Sequence, residues 1–271
     1  MTGSARRRSD DSRYGEWVPL VAAAVCPHPP LLVPDVAGSA APELDDLRAA
    51  CDTAVRRLLA VDPDTVVLLG TGPVTGLIRT PATGSLQPWG VDLDVPLVRG
   101  QPDRGAVLPL SLTIGAWLLA RHDARAQDAP GPRAQDAPGP RTSVTAVQVA
   151  ADAGPAELAA LADDVGGAGD RVALLVLGDG SACRGEKAPG YDDARALPYD
   201  QGVAAALADA DLDALLDLDP VLSAELKAAG RAPWQVLAGA ARASGGGWRG
   251  ELLHDAAPYG VAYFVASWER V

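Results

Sequence analysis

Three histidines are present, and one of them, His28, is held between prolines in Cys26-Pro27-His28-Pro29-Pro30. Proline fixes φ and lowers the conformational freedom lost on ordering. An imidazole held this way suits a metal ligand or a general base. The densest polar stretch is Gly178–Tyr191 (GDGSACRGEKAPGY), where Asp179, Ser181, Arg184, Glu186 and Lys187 follow an apolar run directly. Asp179 and Ser181 read as catalytic candidates; Arg184, Glu186 and Lys187 read as ligand contacts or as a solvated loop with local ion pairs. Lys187 is one of two lysines in a chain that otherwise uses arginine. Near the C-terminus, Glu251, His254 and Asp255 offer a second imidazole and two carboxylates. The loop Gly70-Thr71-Gly72-Pro73-Val74-Thr75-Gly76 has no GxxxxGK[ST], and no GxGxxG opens a helix after a strand. Its glycines serve close backbone approach to a ligand, with Thr71 as the side-chain contact, or simply make the turn. His122 follows a helix beside a repeat and carries no expected role.

A nucleophilic hydrolase using Ser181 or Cys183, with His28 or His254 as base, is a weaker reading, because Gly178-Asp179-Gly180-Ser181-Ala182 lacks GxSxG spacing. Cys26, Cys51 and Cys183 have no CxxC pairing, so neither a disulfide framework nor a structural zinc site is indicated. The 35 acids against 23 bases, a net charge of −12, argue against a nucleic-acid partner, since phosphate binding needs a basic surface. The one basic run, Arg6-Arg7-Arg8, is followed by Asp10 and Asp11. The apolar run Trp17–Cys26 is preceded by three acids and broken by Pro19, which does not fit a signal peptide. No segment reaches the roughly 20 apolar residues of a membrane span. The expectation is a soluble, cytoplasmic protein with no membrane partner.

The elements that must position these residues follow from hydrophobic period. Val18–Val25 and Asp64–Gly70 read as buried strands, and between them residues 42–60 repeat apolar side chains at three- and four-residue spacing. Strand, helix and strand in that order make the βαβ unit of a parallel sheet. A short strand at Val95–Val98, a helix over 107–121, a strand at Val144–Val149, a helix over 155–165 and a strand at Arg171–Gly178 continue the alternation. Helices follow at about 196–209, 211–218, 220–229 and 232–243, with final strands at about 250–254 and 260–267. The octapeptide Ala126–Arg133 recurs word for word as Ala134–Arg141 and reads as an expanded surface loop over about 123–142. The expected organisation is a disordered tail over 1–16 and one α/β domain over 17–271. Its fold class is a three-layer, mostly parallel central sheet covered by helices on both faces. In such sheets ligands bind at the carboxyl ends of strands, so loops 26–35, 70–80 and 178–191 should converge on one crevice.

With these positions placed, the chain resembles the class III extradiol ring-cleavage dioxygenases of the LigB-type superfamily. That superfamily includes the β-subunit of protocatechuate 4,5-dioxygenase and Memo-like proteins. The resemblance rests on CPHPPLLVPD (26–35), GDGSACRGEKAPGY (178–191), GRAPWQVLAGA (230–240) and APYGVAYFVASW (257–268). It implies Fe(II) held by two histidines and a carboxylate, with a further histidine as acid–base catalyst. On this chain it implies His28 as first ligand, His254 as a second and Glu251, or alternatively Asp255, as the carboxylate. At the expected second-ligand position stands Gly70-Thr71-Gly72-Pro73, and Ala182 stands where the catalytic histidine would follow Asp179-Gly180-Ser181. Two readings therefore remain open. One is a divergent metal-dependent extradiol dioxygenase. The other is an inactive or repurposed relative whose crevice binds a small anionic ligand or a protein partner. The resemblance also implies self-association into a homo-oligomer.

Overall fold

The computed structural model describes residues 20–100, 105–128 and 142–271. The expected tail and most of the repeat loop lie outside those residues. In chain order the elements are β1 (Leu20–Cys26), α1 (Pro34–Ala37), α2 (Asp45–Ala60), β2 (Thr65–Gly72), β3 (Gly76–Leu77), β4 (Ala82–Ser85), β5 (Asp94–Pro96) and β6 (Ala106–Val107). They continue with α3 (Leu110–Asp128), β7 (Ser143–Ala150), α4 (Pro155–Gly166), β8 (Val172–Leu177), α5 (Ala196–Asp209), α6 (Leu212–Leu216), α7 (Pro220–Glu225), α8 (Arg231–Ala243), β9 (Trp248–Ala256) and β10 (Tyr263–Arg270).

Periodicity explains most of this. The α2 stripe Leu47, Cys51, Ala54, Val55 and Leu58 is buried, and its charges suit the helix dipole, with Asp45 and Asp46 in the first turn and Arg57 in the last. The expected start at 42 is replaced by a 3-10 stretch, Gly38–Leu44, that contains Pro42. α3 runs further than expected, through His122 to Asp128 and so into the first residues of the repeat.

The main sheet has the order β3-β7-β2-β8-β1-β10-β9. β7, β2, β8 and β1 are parallel to one another, whereas β10 is antiparallel to β1, β9 to β10 and β3 to β7. The sheet is therefore mixed rather than mostly parallel. The chain makes this correction where β9 and β10 form a hairpin after the last helix, for a hairpin can only pair antiparallel. In a small second sheet, β5-β4-β6, only β5 was expected, as the short strand at Val95–Val98. Its partners β4 and β6 are four and two residues long, too short for period to announce them.

Two apolar layers sandwich the sheet. On one face α2 and α3 cover Ala24, Cys26, Leu68, Leu175 and Val265. On the other α4, α5 and α8 cover Val25, Leu69, Leu174, Val176 and Phe264. The helices that follow β1 and β2 thus lie on the face opposite to those that follow β8. Ligands in such sheets bind where neighbouring strand exits diverge to opposite faces, and here that point is the carboxyl end of β8, between β1 and β2.

Candidate functional site

Three loops leave that point together, and β8 ties them. The N–H of Gly178 donates to the carbonyl of Cys26, carrying the β1–β8 pairing past the strand ends. One residue later Asp179 turns its carboxylate toward β1, and Oδ1 accepts the main-chain N–H of His28 at 2.8 Å. The same Oδ1 lies 3.6 Å from His28 Nδ1. That nitrogen is buried and has no hydrogen-bond partner among the described residues. His28 is 9% exposed, so its ring is walled in on nearly every side. Tyr263, at the head of β10, is also buried, and burial, then the nearby Asp179 and Tyr259, push its phenol well above the usual range. It stays a neutral proton donor through the physiological range.

Ser181 belongs to the frame of this loop rather than its open side. It is fully buried, its Oγ donates to Asp200 Oδ2 at 2.6 Å and its N–H to Asp200 Oδ1 at 2.8 Å. Burial raises the pKa of Asp200, while the Ser181 hydrogen bonds and Arg184 pull it back. Arg184 reaches to 3.9 Å from Asp200 Oδ2. The rest of the loop is fixed by main-chain bonds: Gly180 N–H to Ala262 O, Ala182 N–H to Leu226 O, Arg184 N–H to Gly260 O and Gly230 N–H to Asp179 O. Glu186 and Lys187 stand exposed at its outer turn. Thr71, at the end of β2, donates its hydroxyl to Ala229 O at 2.7 Å, and its carbonyl accepts from Ser111 Oγ on α3.

The expected metal set is not brought together. His254 pairs in register with Val265 on β10, and Val25 on β1 pairs with Ala266. His254 is thus two strands away from β1, about 10 Å at the usual strand spacing. It is half-buried, and desolvation lowers its pKa against smaller opposing effects of Asp255 and Asp46 on α2. Glu251 lies further down β9 and pairs with Arg57 of α2 at 2.6 Å, on the exposed surface. Asp255, the alternative carboxylate, acts electrostatically on Asp200 and His254. Among the described residues no group of three or more His, Cys, Asp or Glu side chains could hold a metal ion. The position after β2 is closed as well. A Cβ at Gly70 would stand 2.6 Å from Ser111 Oγ, and one at Gly72 would stand 2.2 Å from Gln148 Oε1. A ligating side chain at either glycine would have to displace Ser111 or Gln148. The residues present do not fit a two-histidine, one-carboxylate iron site.

The arrangement joins Asp179, His28, Thr71 and Arg184, and it adds Tyr263, Asp200 and Ser111, which sequence reasoning missed. Asp200 had a readable signal: it interrupts the apolar stripe Val203, Ala204, Leu207 of α5, and an acid at such a position needs a buried partner. Tyr263 had none, since an aromatic in an apolar strand reads as core.

No protein-family model matches this sequence, and no curated protein matches it. Among solved structures the chain is similar to an uncharacterized protein, JW3007, from Escherichia coli K12, at 12% identity and a TM-score of 0.53. That likeness covers 92% of this chain and 99% of the other. It supports the α/β fold with a large mixed sheet flanked by helices. Among the described residues, no helix is long and apolar enough to cross a membrane.

Proposed function

We propose that the crevice at β8 binds a small proton-bearing organic molecule, with His28 as its acid–base group and Asp179 as the residue that orients it. The chain would then be a repurposed relative of the extradiol dioxygenases, working without their iron. The observation that carries this reading is the pairing of His28 with Asp179 across the strand exits. One carboxylate oxygen holds the His28 main chain at 2.8 Å and stands 3.6 Å from Nδ1. A base needs an orienting partner on the far ring nitrogen. When Nε2 takes a proton from the ligand, the Nδ1–H of the imidazolium faces Asp179, whose charge stabilises it. Tyr263, neutral and buried beside Asp179, is suited to donate a hydrogen bond to the anion left behind. Arg184 and Lys187, on the same loop, favour an anionic ligand over a cationic one.

Differential scanning fluorimetry of wild type and His28→Ala, against divalent metals and against small carboxylates and phenols, tests this. Stabilisation by an organic ligand that disappears in His28→Ala, with Tyr263→Phe weakening it less, supports the reading. Stoichiometric iron in anaerobically purified protein, together with stabilisation by metal alone, would overturn it.

A further inference from the structure

On the outer face of α8, α4 and the α6–α7 segment lie side by side and leave a groove of about 760 Å³ between them. Leu158, Ala159 and Ala162 of α4 form one wall, Leu216 and Leu218 the other, and Gly239 of α8 the floor. The floor is close-packed at that point, for a Cβ on Gly239 would come within 2.8 Å of Ala162 Cβ. Cavities of roughly 300–1,000 Å³ with mostly apolar walls and a few polar groups are the usual form of small-molecule sites.

The charges around the groove are unevenly committed. Its two arginines are engaged with the protein itself. The buried Arg231 guanidinium donates to the carbonyls of Ala151 and Ala153 and to Gln235 Oε1, and Gln235 Nε2 in turn donates to Leu216 O and Leu218 O. That pair is a clamp fastening both walls to α8. Arg242, at the other end, is ion-paired with Asp213. Asp152, Asp163 and Asp217 line the groove from exposed positions and stand on its opposite walls and one end. Among the described residues none of the three has a basic side chain within ion-pair distance. Asp219 joins them while capping α7 through Val221 N–H and Leu222 N–H. Asp152 acts electrostatically on Arg231 without pairing to it, and an apolar trough rimmed by carboxylates that lack ion-pair partners is complementary to an apolar body carrying positive charge.

We propose that this groove is a binding site for an organic cation with an apolar body, an alkyl- or arylalkyl-amine, independent of the His28 crevice. The experiment is isothermal titration calorimetry with 4-phenylbutylamine, using 4-phenylbutyrate as the probe of equal body and opposite head. The proposal expects saturable binding of the amine that weakens with added salt and is at least tenfold weaker in Asp163→Asn/Asp217→Asn. Binding should vanish in Ala159→Trp, which fills the groove from an exposed α4 position, and persist in His28→Ala. Thermal melts of each variant establish that the fold is retained. Three results would each overturn the proposal: no saturable heat with wild type, butyrate binding as tightly as the amine, or amine binding indifferent to both groove variants.

Discussion

At the scale of single residues the site turns on two carboxylates with opposite duties. Asp179 faces the imidazole, whereas Asp200 is walled in beneath Ser181 and serves the loop. Burial raises Asp200 above its ordinary value, so the folded state holds this proton more tightly than the unfolded chain does. Between the ordinary carboxylate value and the raised one, the folded state binds more protons, and stability falls as pH rises. Ser181 supplies both bonds that favour the ionised form. Ser181→Ala should raise Asp200 further and lower neutral-pH stability by about 1–3 kcal/mol. Asp200→Asn should flatten the slope that Asp200 contributes. Urea unfolding across a pH series for the three proteins reads both effects; a steeper slope in Asp200→Asn than in wild type would contradict them. The same residues show how far the site was legible. His28 announced itself because prolines flank it, and Asp179 because it follows a buried strand. Ser181 looked equally chemical, since sequence does not show which way a hydroxyl turns once a helix some twenty residues later puts a carboxylate under it. The expected set of His28, His254 and Glu251 failed for a related reason. Counting histidines gives donors, and only the strand order gives distances.

At the scale of elements, the strand exits at β8 meet closely because no side chain stands between them. A Cβ on Gly178 would lie 2.5 Å from the Gly230 Cα and 3.1 Å from Trp234 Nε1. The first obstacle is main chain at the start of α8 and cannot turn aside. A Cβ on Gly72 would instead meet Gln148, a flexible side chain on the neighbouring strand. Gly178→Ala should therefore cost more than Gly72→Ala, with the latter within the range of about 1–3 kcal/mol typical of overpacking. Gln148→Ala should relieve Gly72→Ala only in part, because the Gln148 Cβ at 2.7 Å remains, and no single side-chain truncation should rescue Gly178→Ala. Chemical denaturation of the four variants decides it; equal costs at the two glycines would show that the start of α8 shifts freely. Most elements were readable because length and period agree: β1, β2, β7, β8, α4, α5 and α8 all stand within a few residues of their expected ranges. The two-residue strands β3 and β6 escaped, as any element shorter than one hydrophobic repeat must. So did the sheet's mixed character, because a buried apolar run reads alike whichever way it pairs.

At the scale of the whole molecule, the sheet is a wall shared by two apolar layers, and neither layer closes without it. β8 is buried along its full length, with Leu174 and Val176 facing one layer and Leu175 and Leu177 the other. Loss of packing on either side exposes the same strand, which should couple the layers into one cooperative unit. Leu237 on α8 and Leu112 on α3 are both fully buried, on opposite faces. Leu237→Ala and Leu112→Ala should each cost about 2–5 kcal/mol. Because they share no contact, the double variant should come close to the sum of the two. More tellingly, each should lower a single transition seen alike by far-UV circular dichroism and by tryptophan fluorescence. The fluorescence is read in a Trp89→Phe/Trp117→Phe background, because Trp117 packs in the α2–α3 layer, so that the buried Trp234 and Trp268 report the α8 layer. A Leu112→Ala variant that lost helical signal while its tryptophan emission stayed native would mean the α2–α3 layer melts by itself. In that event the crevice, with His28 hung from one layer and Asp179 anchored to the other through Gly230, would open before the protein unfolds.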